Sequence, residues 1–187
     1  MSALLRGKDV SGLPVVDLST GEDIAEIRDL IFDPAAGVVG GFTLAKRGFL
    51  GRRMREVLPV DAVHSLGTHA VTVDSAAALT GPADAPQDVA TVDRKADVTS
   101  NDVLTESGRN LGRVHDVILT GGRRPRVVGY EIGGGAAGDG FVPIDTSRAV
   151  SRSALIVPDG FENRVRTDLT GLAGEIDALG GPRDPAQ

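Results

Sequence analysis

The chain has 187 residues and a formal net charge of −6; 41% of it is hydrophobic and only 3% aromatic, with no Cys or Trp. The lack of Cys excludes disulfides, thiol nucleophiles and thiolate metal sites, and the acidic balance lacks the basic excess of a typical nucleic-acid-binding domain. With 25 Gly and 10 Pro, short strands and many turns are favoured over long helices, and Val, Leu and Ile must fill the core.

The N-terminus, M-S-A-L-L-R-G-K-D-V, has no signal-peptide h-region. No stretch nears the roughly 18–20 apolar residues of a membrane span, so a cytoplasmic location is expected. Residues 1–12 read as a lead-in broken by Gly7 and Gly12. Residues 13–18 read as a first strand, with Pro14 near its start, where strand prolines are tolerated. Ser19 to Glu22 form a turn, and residues 24–32 return as a second strand. Strict alternation places Asp29 on the face of Ile27 and Ile31. A β-bulge is the cheaper arrangement, because it spares a carboxylate from burial.

A turn at 33–37 leads to a strand at 38–44 and an excursion at 45–56 that carries five basic residues. Strand character resumes at 57–60. Residues 61–67 read as a helical turn capped by Asp61, and 69–73 as the closing strand. Residues 80–97 are polar, with four Asp and two Pro, and read as a linker. The second half repeats the plan: strands at 103–104, 111–119 and 127–132, a glycine-rich excursion at 133–140, strands at 141–144 and 154–157, and a turn at 145–148. In the tail, apolar residues at 161, 165, 169, 172, 176 and 179 form a helical stripe. That face must cover the end of a barrel or a second chain.

The halves match in three blocks. Gly21, Ile24, Ile27, Asp29 and Ile31 pair with Gly108, Leu111, Val114, Asp116 and Ile118 at a spacing of 87. Val38-Val39-Gly40 pairs with Val127-Val128-Gly129 at 89, and Leu58-Pro59-Val60-Asp61 with Val142-Pro143-Ile144-Asp145 at 84. Three ordered blocks mean one small unit made twice. A unit of about 65 residues is marginal alone, so two packed together are expected.

These blocks resemble the PRC-barrel domain, a family that includes the cytoplasmic domain of the photosynthetic reaction-centre H subunit and the C-terminal domain of a ribosome maturation factor. That factor's N-terminal domain has no counterpart here, which weighs against the same role. The resemblance implies a mainly β protein: two tandem small PRC-type β-barrels with a short C-terminal α-helix. The expected divisions are 1–80 and 99–160 for the barrels, 81–98 for the linker, 161–180 for the helix and 181–187 for a tail. It also implies that Gly21, Asp29, Pro59, Gly108, Asp116 and Pro143 are structural repeat positions, and that members bind or position other macromolecules without shared chemistry. Gly112 matches the family's L-G-x-V-x-D glycine, where the first copy has Ala25.

No catalytic, cofactor or metal residues are expected. His64, His69 and His115 make no close ligand pair. The run from Gly133 to Gly140 lacks a phosphate loop's G-K-[ST] ending and reads as a flexible loop. The stronger signal is Lys46, Arg47, Arg52, Arg53 and Arg55 around Phe49, Leu50 and Met54, five cations on an acidic protein. It suggests a non-enzymatic interaction or scaffold module whose partner is another protein or a second copy of the chain. The alternative is an RNA- or ribosome-associated factor, with Arg123, Arg124 and Arg126 on the same face as the basic loop; peripheral contact with an anionic membrane is a further option.

Overall fold

The computed structural model describes residues 3–33, 37–47, 51–81, 98–144 and 154–179. Seven strands lie in the first repeat: β1 (Leu4–Arg6), β2 (Pro14–Asp17), β3 (Asp23–Asp33), β4 (Val38–Ala45), β5 (Arg53–Pro59), β6 (Ser65–Leu66) and β7 (Val71–Val73). The second repeat has β8 (Asp102–Thr105), β9 (Asn110–Thr120), β10 (Val127–Gly134), β11 (Gly140–Pro143) and β12 (Ala154–Val157). Helices are short: α1 (Gly7–Val10) and α2 (Leu169–Ala178).

The protein is mainly β, in two sheets. One runs β5-β4-β3-β2-β7-β6 and the other β11-β10-β9-β8-β12. Antiparallel hairpins form most of each path, and one parallel pairing follows, β2 with β7 and β8 with β12. Among the described residues neither sheet closes into a barrel by a continuous ladder. One outer strand of each sheet is instead bridged once: Val57 of β5 exchanges both backbone bonds with Thr80, and Phe141 of β11 does so with Arg166.

The chain forms two compact units. The first takes in 1–33, 38–96 and 120–125, and the second 34–37, 97–119 and 126–187. The first unit therefore takes in 120–125 from the second repeat, and the second takes in Gly37 from the first. Within the first, Leu66 and Gly122 exchange backbone bonds at 2.9 and 2.8 Å. Within the second, the Val127 N–H donates to the Gly37 carbonyl at 3.2 Å.

Bulges recur at matching places. On β3 the pairing steps from Ile27↔Leu44 to Asp29↔Thr43, which leaves Arg28 unpaired. On β9 it steps from Val114↔Ile132 to Asp116↔Glu131, which leaves His115 unpaired. Further shifts leave out Gly40 and Val128 at the hairpin ends, and Ile24 and Leu111 beside the first strands. Each bulge adds local twist and bends a long strand. That is how 11-residue strands such as β3 and β9 can wrap around a small core.

The ladders correct the middle block of the repeat. Pro59 faces Gly41 and Pro143 faces Gly129, while Val39 faces Phe32 and Val127 faces Leu119. The spacing there is 88, not 89, because Gly129 matches Gly41 and the bulged positions are Gly40 and Val128. In this register the cores agree side chain for side chain. Ile27 and Val114, Phe42 and Tyr130, Leu44 and Ile132, and Leu58 and Val142 are all buried.

Three local expectations change. β5 begins at Arg53, four residues before the expected 57. Asp61 lies inside the 3-10 turn Val60–Ala62, whose N-cap is Pro59 with no side-chain cap. The tail is not one helix: Phe161–Arg164 is a 3-10 turn, Arg166 bridges β11, and α2 starts at Leu169 with the Asp168 carboxylate accepting the Gly171 N–H at 2.7 Å. Leu172, the fully buried residue of α2, packs against Gly129 of its own unit. The expected turn at 145–148, the tail at 181–187 and nearly all of the linker lie outside the described residues.

Candidate interaction site

The basic segment is the end of the β4–β5 hairpin. β4 delivers Lys46 and Arg47 just past its last residue, and the Lys46 N–H donates to the Arg52 carbonyl at 2.9 Å. Arg53, Met54 and Arg55 then open β5 as extended chain, with both arginines exposed and Met54 half-buried. The ladder places Thr43 opposite Val57 and Ala45 opposite Arg53, so Met54, Arg55 and Glu56 face Leu44 alone. Phe49 and Leu50 lie outside the described residues.

The cations are not equivalent. Arg47 is paired with Asp23 at the start of β3. Among the described residues Lys46, Arg52, Arg53 and Arg55 form no ion pair. Among the described residues the first copy thus presents four positive charges without an ion-pair partner on one hairpin end of an acidic chain, with exposed Glu56 as the one acid of that segment. Local potential on this scale favours anionic partners despite the net charge.

The second copy does the opposite. Its β11 starts at Gly140, the match of Glu56, and has no counterpart of the Arg53–Arg55 extension. Its glycine run is held rather than flexible. Ala136 and Ala137 N–H groups donate to the Asn110 and Leu111 carbonyls at 3.4 and 3.3 Å, and the Gly134 N–H to Asp139 Oδ1 at 3.1 Å. Side chains at Gly133 and Gly135 would collide with Asp139, His115 and the Gly112 backbone. Glycine is needed there for close approach, not for gripping a phosphate.

Of the other arginines of the alternative reading, Arg124 Nε reaches Asp61 Oδ1 at 3.2 Å and Arg126 is half-buried, while Arg123 is exposed and forms no ion pair among the described residues.

Asp29 and Asp116, identical in sequence, differ in place. Asp29 is exposed beside Arg28 Nε at 3.5 Å, and its backbone N–H donates to Thr43 Oγ1 at 3.1 Å. Asp116 is buried and its Oδ1 accepts the Val117 N–H at 2.8 Å. Gly21 and Gly108 both take positive φ, +75° and +82°, which favours glycine at the matched turn. His64 Nδ1 lies 2.9 Å from Asp74 Oδ1. Among the described residues no group of three or more His, Asp or Glu gathers as a metal site.

Two carboxylates missed in the sequence organise the joint between the first turn of each copy and the segment after its parallel strand. Asp17 Oδ1 accepts the Ser19 Oγ–H at 2.6 Å and N–H at 2.8 Å, and its Oδ2 accepts the Ala76 N–H at 2.7 Å. In the second copy Thr105 replaces Asp17, and the acid moves across the joint: Asp159 Oδ1 accepts the Ser107 Oγ–H at 2.7 Å and N–H at 3.2 Å. The Ser19 hydroxyl chiefly holds Asp17 below the usual carboxylate range, and the Ser107 hydroxyl does the same for Asp159. The swap preserves the joint while changing the sequence, so a repeat comparison by identity passes over it.

Two bulged β repeats of one design, each with a parallel strand completing the path, define a class of small tandem β-module. The chain belongs to the PRC-barrel domain family, which matches it twice, over residues 4–79 and 91–163. No curated protein matches the chain. Among the described residues no helix is long and apolar enough to cross a membrane.

Proposed function

We propose that this chain is a non-enzymatic interaction module in which two PRC barrels serve as a scaffold and the β4–β5 hairpin end is the docking surface for an acidic protein partner. The observation that carries this reading is the difference between otherwise matched copies. Their cores agree residue by residue, yet only the first extends this hairpin strand through Arg53-Met54-Arg55, with both arginines exposed, beside Lys46 and Arg52. Shared features are explained by the shared fold, so a copy-specific charge cluster that forms no ion pair among the described residues is where a specific role belongs. The bridges Val57↔Thr80 and Phe141↔Arg166 support treating each sheet as a barrel wall drawn shut at one point. A cytoplasmic setting suits a chain without cysteine.

The test is capture from nuclease-treated native lysate by wild type and by a variant with Lys46, Arg52, Arg53 and Arg55 all changed to Gln. The expected result is one acidic protein retained by wild type in low salt, released as salt rises, and absent from the variant. Equal capture by both proteins would remove the hairpin from the interaction. Without nuclease, RNA that co-purifies with wild type alone would move the function to the RNA-associated reading.

A further inference from the structure

Among the described residues, half of the outer edge of β5 has no partner. Val57 faces Thr43 on β4, while its own N–H and C=O both bond to Thr80, each at 2.9 Å. Those groups therefore point away from β4. Arg53 is placed the same way. The Lys46 N–H to Arg52 C=O bond flanks the Ala45↔Arg53 pair, which marks it as a non-hydrogen-bonded antiparallel pair. The N–H and C=O of Arg53 then also point away from β4. Thr80 occupies the Val57 end of this edge in an antiparallel bridge. At the Arg53 end no backbone partner exists among the described residues.

Natural sheets usually blunt such edges with charge, bulges or covering loops. β5 carries Arg53 and Arg55 there, which deters other copies of the same basic strand but attracts an acidic one. The second copy leaves no such opening: β11 is shorter by the arginine extension, and the chain before it bonds back to Asn110 and Leu111. The alternation of exposed Arg53, half-buried Met54 and exposed Arg55 matches a partner strand whose acidic and apolar residues also alternate.

We infer that β5 binds an extended acidic segment of a partner protein by antiparallel strand addition at Arg53–Arg55, with main-chain bonds to Arg53 and carboxylates beside Arg53 and Arg55. This rests on the docking reading above and gives its chemistry: main-chain bonds supply affinity, and alternate side chains supply selectivity.

The test uses the whole chain and three end-capped octapeptides in fluorescence polarisation: alternating Glu–Val, alternating Glu–Pro and alternating Lys–Val. Glu–Pro keeps the charge but removes half of the backbone donors. Arg53→Gln and Arg53→Pro both lose the cation, and only the second loses the outward N–H; proline is tolerated at the first residue of an edge strand. Glu–Val is expected to bind wild type about tenfold or more tighter than Glu–Pro, and Arg53→Pro to bind Glu–Val about fivefold more weakly than Arg53→Gln, the worth of about one hydrogen bond. Strand addition is overturned if Glu–Pro binds as well as Glu–Val, or if a folded Arg53→Pro matches Arg53→Gln, and charge docking then stands alone. Glu–Val binding no better than Lys–Val overturns the docking reading itself. The peptide comparison on wild type decides the matter even if Arg53→Pro fails to fold.

Discussion

Gly112 holds a backbone φ of +139°, and a side chain there would stand 2.7 Å from the Gly133 carbonyl oxygen. Its match in the first copy, Ala25, is buried and pairs with Val15, at a φ outside the positive range. Gly112→Ala should therefore destabilise the chain by about 1–3 kcal/mol, whereas Ala25→Gly should cost only about 0.5–1 kcal/mol. Urea unfolding of the two variants would show this asymmetry, and equal losses would deny a special backbone at Gly112. The joint carboxylates make a second residue-scale prediction. Asp17 and Asp159 titrate below the ordinary aspartate value in the folded chain. Their stabilisation is complete above the unfolded pKa of about 3.9 and is lost as pH falls through the lower folded pKa. Asp17→Asn with Asp159→Asn should lower the urea midpoint at neutral pH and flatten its fall below about pH 4. Acid profiles that run parallel to wild type would remove these carboxyls from the linkage.

At the scale of elements, α2 shows how a short helix is tied down. Leu172 fills the space above Gly129, where any side chain would meet the Val142 carbonyl at 2.5 Å and Leu172 at 3.1 Å. Glu175 accepts from Arg164 Nε at 3.1 Å and is also paired with Arg166. Arg164 stacks on Phe161 with its guanidinium carbon 5.2 Å from the ring centre. Leu172→Ala should cost about 2–5 kcal/mol. Hydrogen exchange should show faster opening of α2 and of its neighbour β11. If α2 alone exchanges faster, the helix rests on the sheet without supporting it. The periodicity of the tail pointed to a helix over 161–179, and only Leu169–Ala178 is one. It could not show that Phe161 belongs to a 3-10 turn or that Arg166 is spent on a bridge to Phe141, because the competing partner lies in another strand.

For the molecule as a whole, core and hairpin end should be separable. Lys46, Arg52, Arg53 and Arg55 are exposed and form no ion pair among the described residues. Changing all four to Gln should move global stability by no more than about 0.5 kcal/mol per site while abolishing capture of an acidic partner. Calorimetry beside the capture assay checks both halves. A marked loss of stability would mean that the cations support the fold, and the binding result would then carry no meaning.

Much of this architecture follows from local order along the chain. Gly21 and Gly108 mark the matched turns, alternation marks the strands, and the awkward position of Asp29 between Ile27 and Ile31 called for the bulge that appears at Arg28 and again at His115. Duplication is a property of the sequence and needs no coordinates to see. What the tertiary structure decided is pairing. Only the ladders show that Gly129 matches Gly41, since a one-residue slip is invisible where Val-Val-Gly runs are alike but exchanges the two faces of a strand. The same holds for the joint, where a carboxylate on β2 in one copy is replaced by one beyond β12 in the other. It holds most for the basic segment. Its charges are plain in the sequence. That Arg47 is paired with Asp23, that β5 reaches back to Arg53, and that one end of its edge is already bonded to Thr80 all depend on contacts between residues far apart in the chain.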